Sequence, residues 1–314
     1  MAPKSLEILV VGAGAIGGYF GARLLAAGRH VTFLVRPKRA DELAAKGLHV
    51  TSVHGDLSIP SPPTLLAEKI ATPFDVIFLS CKAQDLDAAM DSFAPALGAN
   101  TIILPMLNGM KHLDALDARF DREHVFGGQC FISAVRDPDG QIVHLNEHHL
   151  LSFGERDGSH SPRAANIAAA FSNAGFETRL SDEILQDMWN KWVFLATAAG
   201  ITCLMRASIG DIVAANGSHF TLRMLDESAA IAQREGYAPP PKTMDWNRNF
   251  LTTVGSPATA SMLRDVESHA STEADHILGD MIERGNRHGL ASPMLELAYT
   301  HLLAYAARRR REAL

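Results

Sequence analysis

The sequence has little cysteine, no excess of positive charge and no long apolar run. Its three cysteines, Cys81, Cys130 and Cys203, are scattered over 314 residues. An odd, widely spaced set excludes a disulfide framework and the paired spacings of a zinc site, so no metal is expected. It also suits a reducing compartment. The formal net charge of -6 argues against a general nucleic-acid binder, which needs a basic footprint. Arg308-Arg309-Arg310-Arg311 is the local exception, and it reads as a solvated, cationic helix end that complements the helix dipole. No apolar run reaches the roughly 18 residues of a membrane span, and no signal-peptide pattern opens the chain. A cytoplasmic protein with no membrane partner is therefore expected. The 24 glycines and 15 prolines are ordinary in number, which excludes collagen-like and low-complexity classes. What remains, 47% hydrophobic residues, is enough for about two cored domains.

The first part of the chain alternates strand and helix signals. Ile8–Val11, Val31–Val35, Val76–Leu79 and Thr101–Leu104 are short apolar runs suited to strands covered on both faces. Helices are expected at Ile16–Ala27, Arg39–Lys46 and Leu86–Ala96, the first two closed by Gly28 and Gly47. Such alternation implies right-handed crossovers and a parallel sheet. From Phe126 to Phe153 two extended segments flank the turn Asp137-Pro138-Asp139-Gly140, which predicts a hairpin extending that sheet. A helix at Ala164–Ala174 and a strand at Phe176–Leu180 follow. Beyond Ser181 strand signals nearly vanish. Helical periodicity covers Asp182–Leu204, Thr221–Glu235, Met262–Asp265, Thr272–His288 and Pro293–Arg309. The expected fold class is α/β: a Rossmann-type parallel-sheet domain over residues 1–180, then an all-helical domain over 181–314.

Gly12-Ala13-Gly14-Ala15-Ile16-Gly17 is a G-x-G-x-x-G run that follows a buried strand and opens a helix. That context gives the pattern its meaning. Gly12 allows the tight turn, Gly14 lets backbone approach a pyrophosphate, and Gly17 lets helix pack on strand. The phosphate then rests on free N–H groups at the positive helix end. NAD binders usually place an acidic residue about 20 residues further on. Here Val31 to Lys38 holds none, and Arg36 and Lys38 stand there instead. A guanidinium matches a 2′-phosphate, so the expected cofactor is NADP (NADPH). A surface arginine at a strand end is the plainer alternative.

Reduction of a ketone also needs a proton donor and groups that hold the substrate. Lys191 lies in Met188-Trp189-Asn190-Lys191-Trp192-Val193-Phe194, with Leu195 and Ala199 at i+4 and i+8. On that apolar stripe desolvation would lower its pKa toward neutrality. A snorkelling lysine with its stem on the tryptophans fits the same spacing. Glu273 has Ile277 and Met281 at i+4 and i+8, facing inward, or else simply complements a helix N-terminus. Asn108-Gly109 follows the carboxyl end of a strand, where open α/β sheets bind ligands, and also fits a plain turn.

The chain resembles the ketopantoate reductase (2-dehydropantoate 2-reductase) family over nearly its whole length. The resemblance is carried by Gly12–Gly17, Arg36, Ser80-Cys81-Lys82-Ala83-Gln84-Asp85, Leu107-Asn108-Gly109, Gly128–Ala134, Trp189-x-Lys191, Ser261-Met262-Leu263-x-Asp265 and Thr272-Glu273. It implies a Rossmann domain followed by a helical domain. It also implies that Lys191 is the general acid, that Asn108 contacts cofactor and substrate, and that Ser261 holds the substrate carboxylate. Lys82, Ala134 and Glu273 would line the nicotinamide end, with Glu273 also near the substrate. The implied reaction is NADPH-dependent reduction of 2-dehydropantoate to pantoate, a step of pantothenate biosynthesis. One region departs from the family pattern. Asparagines usual four and eight residues after the lysine, and another before a later glycine, are here Leu195, Ala199 and Ile209. A site that hydrogen-bonds substrate hydroxyls loses discrimination without them. Two alternatives therefore stand beside ketopantoate reduction: reduction of a more apolar 2-keto acid, and an NADP-binding sensor without turnover. The expected partners are a small 2-keto acid and a second copy of the chain in a homodimer.

Overall fold

The computed structural model describes residues 5–312. Its contacts divide the chain into two compact units. One comprises residues up to Leu107 and His112–Ile184, the other Asn108–Lys111 and Leu185 onward.

The first unit opens with β1 (Glu7–Val11), α1 (Ala15–Ala26), β2 (His30–Leu34) and α2 (Pro37–Lys46). Three short strands follow, β3 (Leu48–Thr51), β4 (Leu57–Ile59) and β5 (Thr64–Leu65), and then β6 (Val76–Leu79), α3 (Leu86–Phe93) and β7 (Ile102–Pro105). Strands β5-β2-β1-β6-β7 form a sheet in that order, and each neighbouring pair is parallel. Ile8, Leu9, Val10 and the whole of β6 are buried, as expected of strands covered on both faces. The strand order places β1 between β2 and β6, so the loop leaving β1 is flanked by both their ends. α3 stops at Phe93 and gives way to a 3-10 turn at Ala94–Ala96, where the expectation was a helix through Ala96. Pro95 is the physical reason, since it has no N–H to continue the ladder.

After α4 (Lys111–Phe120) come β8 (Gly127–Arg136), β9 (Ile142–Gly154), α5 (Pro162–Phe171) and β10 (Glu177–Leu180). The hairpin turn lies where expected, but β8 and β9 do not extend the parallel sheet. They build a second sheet of order β10-β9-β3-β4, with β8 against β9. The 13-residue β9 is long enough to pair with β3 at Ile142–Val143 and with β10 at Leu150–Phe153. Packed between the sheets' elements are Tyr19, Phe20, Phe33, Phe78, Phe153 and Phe171, all fully buried.

The second unit is largely helical: α6 (Ile184–Met205), α7 (Ile209–Ala214), α8 (Ser218–Arg234), α9 (Pro241–Leu251), α10 (Ser261–Glu267), α11 (Asp280–Arg287) and α12 (Pro293–Glu312). Pro239-Pro240-Pro241 breaks the chain before α9, and Pro241 occupies that helix's first turn, where its missing N–H costs nothing. The core is built on Trp189 and Trp192 of α6, both 1% exposed. The guanidinium of Arg284 lies over both indoles, and its charge is met by Asp280 and Glu235. Among the described residues no helix is long and apolar enough to cross a membrane.

Candidate active site

Gly12 sits at φ +91°, a conformation that glycine adopts without strain, and its N–H donates to the Leu34 carbonyl at 2.9 Å. This bond ties the loop to the end of β2. α1 then starts with Gly14 at its N-cap, with no side-chain cap and no acidic residue in its first turn. The positive end of the helix is thus left for a ligand. A Cβ built on Gly12 or Gly14 would meet no described protein atom within 4 Å, whereas one on Gly17 would collide with the Gly12 carbonyl and Ser80 Oγ. The loop is therefore open on its outer side and closed against the sheet on its inner side. That cradle fits the pyrophosphate of a dinucleotide.

Two side chains that sequence reasoning leaves without a role hold this loop. Ser80 Oγ donates to the Val11 carbonyl at 3.1 Å. Arg39 donates through Nε and Nη2 to the Ala13 carbonyl, at 3.3 and 3.1 Å, and pairs with Glu42 at 3.1 Å. Burial pulls the Arg39 guanidinium below its ordinary pKa, opposed by the bond to Glu42. The signal for Arg39 was its place one helical turn after Arg36, but its partner is 26 residues away in sequence.

Arg36 occupies the N-cap position of α2 without a side-chain cap bond and projects into solvent, where Nη2 donates to Asp85 Oδ1 at 2.7 Å. Lys82 is exposed and precedes the 3-10 turn Ala83–Asp85 that follows β6. Ala134 lies in β8 opposite His144, immediately after a register shift at Ile132.

In the helical unit, Lys191 Nζ donates to Asn108 Oδ1 at 3.1 Å, joining two residues 83 positions apart. The neighbouring Gly109 is held at φ +78°, and a Cβ there would come within 3.0 Å of the His276 carbonyl. Trp192 Nε1 donates to the Ile277 carbonyl at 3.0 Å. Asn108, Lys191 and residues 276–277 thus converge on one place. The last of these belong to a π-helical turn, Asp275–Gly279, where continuous α-helix from Thr272 was expected. Glu273 lies just ahead of it, and its carbonyl accepts from the N–H groups of His276 and Ile277. The wider turn shifts the register, so the α spacing from Glu273 to Ile277 and Met281 does not define its face. His276 is buried, and burial, with Lys111 nearby, lowers its pKa to about 4.

On α6 the stripe beyond Lys191 is apolar: Leu195 is half-buried and Ala199 fully buried. Ile209 is buried as well, and its N–H donates to the Ala258 carbonyl at 3.0 Å. Ser261, the first residue of α10, is exposed.

Comparison with known proteins gives the family of the chain and its fold. Residues 8–158 match the family model described as ketopantoate reductase PanE/ApbA, and residues 183–306 match its C-terminal model. An uncharacterized oxidoreductase YkpB of Bacillus subtilis is 37% identical, covering 96% of this chain and 99% of the relative. The crystal structure of 2-dehydropantoate 2-reductase from Geobacter metallireducens superposes with a TM-score of 0.87 at 28% identity, covering 95% and 99% of the two chains. A ternary structure of D-mandelate dehydrogenase with NADH and anilino(oxo)acetate shares the fold, with TM-score 0.85 at 20% identity and 96% and 98% coverage. The chain is an oxidoreductase fold with a nicotinamide-dinucleotide cradle, and it belongs to the ketopantoate reductase family.

Proposed function

We propose that this protein reduces a 2-keto acid to the 2-hydroxy acid with NADPH, with 2-dehydropantoate, converted to pantoate, as the leading substrate. The observation that carries this reading is the hydrogen bond from Lys191 Nζ to Asn108 Oδ1 at 3.1 Å. It orients an ammonium beside a second polar group, both half-buried. A nicotinamide cofactor held there would, when bound, supply the hydride for the carbonyl carbon. Lys191 Nζ stabilises the negative charge that develops on the ketone oxygen and delivers a proton to it. Asn108 orients Nζ and contacts the substrate. Ser261 receives the substrate carboxylate, and Lys82, Ala134 and Glu273 serve the nicotinamide end. Gly12–Gly17 hold the pyrophosphate, and Arg36 meets the 2′-phosphate with a planar pair of donors that a carboxylate could not offer.

A second reading concerns the substrate side chain. Leu195, Ala199 and Ile209 offer no hydrogen bond from their side chains. One turn from Lys191, Phe194 packs against Trp246 and Phe250 at ring separations of 5.3 and 5.2 Å. Trp246 remains 54% exposed, so this aromatic group offers uncovered apolar surface. A branched or aromatic 2-keto acid would lose nothing against such a wall and would gain about 0.8 kcal/mol per buried methylene. A substrate hydroxyl facing Leu195 would stay unpaired. Measuring kcat/KM for 2-dehydropantoate and 2-ketoisovalerate tests both readings. Leu195→Asn should raise the ratio of the first to the second by about tenfold, the scale of one regained hydrogen bond. An unchanged ratio would remove Leu195 from the substrate wall.

A further inference from the structure

Arg36 is engaged by a carboxylate. Its Nη2 donates to Asp85 Oδ1 at 2.7 Å, and the two residues come from opposite sides of the cofactor loop. Arg36 follows β2, and Asp85 closes the 3-10 turn after β6. β1 lies between those strands, and its end carries Gly12–Gly17. The ion pair therefore bridges the strand ends on either side of the dinucleotide cradle, where the ribose nearest a pyrophosphate bound there belongs. Arg36 is 75% and Asp85 41% exposed, so a ligand can reach both and the pair is easily exchanged.

An acidic residue beyond the second strand ordinarily selects a free ribose 2′-hydroxyl, and an arginine there selects a 2′-phosphate. This chain brings both groups to the same edge, with the carboxylate delivered from the β6 side. We propose that Asp85 is a specificity-determining residue for the cofactor, holding the preference for NADPH over NADH below what Arg36 alone would give.

The physical basis is competition. A 2′-phosphate must take the Arg36 guanidinium away from Asp85, and it then lies beside the carboxylate it displaced. Both effects weaken NADPH. NADH carries no phosphate, so the pair stays intact, and a carboxylate with two oxygens can hold Arg36 and still accept from a ribose hydroxyl. Asp85 thus subtracts from NADPH affinity and not from that of NADH. The inference rests on Arg36 being the 2′-phosphate contact.

Equilibrium titration of NADPH and NADH, with no keto acid present, separates the two ideas. The proteins compared are the wild type, Asp85→Asn and Arg36→Met. Asp85→Asn keeps the shape and removes the charge. It should tighten NADPH by about two- to fivefold, the range of an exposed ion pair, and leave NADH unchanged or weaker. The gain should shrink at high salt, because the pair is exposed and screened. Arg36→Met should weaken NADPH far more than NADH. If Asp85→Asn leaves the NADPH-to-NADH affinity ratio unchanged while Arg36→Met lowers it, Asp85 has no part in selection and the role of Arg36 survives. If Arg36→Met also leaves the ratio unchanged, Arg36 is not the phosphate contact and both claims fall.

Discussion

Lys191 and Asn108 meet through one hydrogen bond, and replacing the lysine separates its two candidate roles. Lys191→Ala should lower kcat by about 10²–10⁴-fold, the worth of a positioned general acid, with NADPH affinity nearly unchanged. Steady-state kinetics and cofactor titration on the same preparation check this. Near-full turnover in the variant would leave Lys191 as a snorkelling side chain on the tryptophans. Residues differ in how far the sequence betrays them. Gly12–Gly17 are legible because a tight turn, a close backbone approach and a close helix packing each demand glycine at a fixed spacing. Arg39 and Asp85 are not. Arg39 acts on the carbonyl of Ala13, and Asp85 on Arg36, a residue 49 positions away, so no local pattern records either contact.

The π turn at Asp275–Gly279 shows where periodicity fails for whole elements. A π turn differs from an α turn by one residue, and the spacing of apolar residues is too coarse to reveal it. The short strands β3, β4 and β5 are hidden for a related reason, since two to four residues make too few alternations to read. They are organised by partners distant in sequence or by one another instead: β3 pairs with β9 and β4, and β5 with β2. The π turn has a consequence for acid stability through His276, and β9 has one through His149. Burial, the first cause in both, lowers each imidazole to about 4 from 6.5. His149 also stacks on His54 at 3.8 Å and lies 2.8 Å from the Tyr19 hydroxyl oxygen, with His144 and Arg23 adding unfavourable charge. The folded state therefore binds fewer protons than the unfolded chain between about pH 6.5 and 4. Their stabilisation is fully present above pH 6.5 and is lost as pH falls toward 4. Denaturant midpoints across that window should decline, and His276→Gln should flatten part of the decline. A slope identical to wild type would show that His276 does not titrate with unfolding.

Across the molecule, the change from alternating strands and helices to helices alone was legible because short continuous apolar runs and the 3.6-residue helical period leave different marks. The second sheet was less legible. Its order depends on β9 pairing with β3, and their bonded residues, Val50 and Ile142, lie far apart in the chain. The proposed substrate wall was least legible, since Leu195, Ala199 and Ile209 would mark it only by the amides they lack, and apolar residues are ordinary in any helix. The reaction itself is open to a direct test. The purified protein is given NADPH and a panel of 2-keto acids that includes 2-dehydropantoate and 2-ketoisovalerate, while loss of NADPH absorbance is followed and the product identified. Formation of one 2-hydroxy acid for each NADPH consumed, with at least one member of the panel, is the predicted result. Tight NADPH binding with no consumption by any 2-keto acid would contradict it, and would make the protein a nucleotide-binding sensor without turnover.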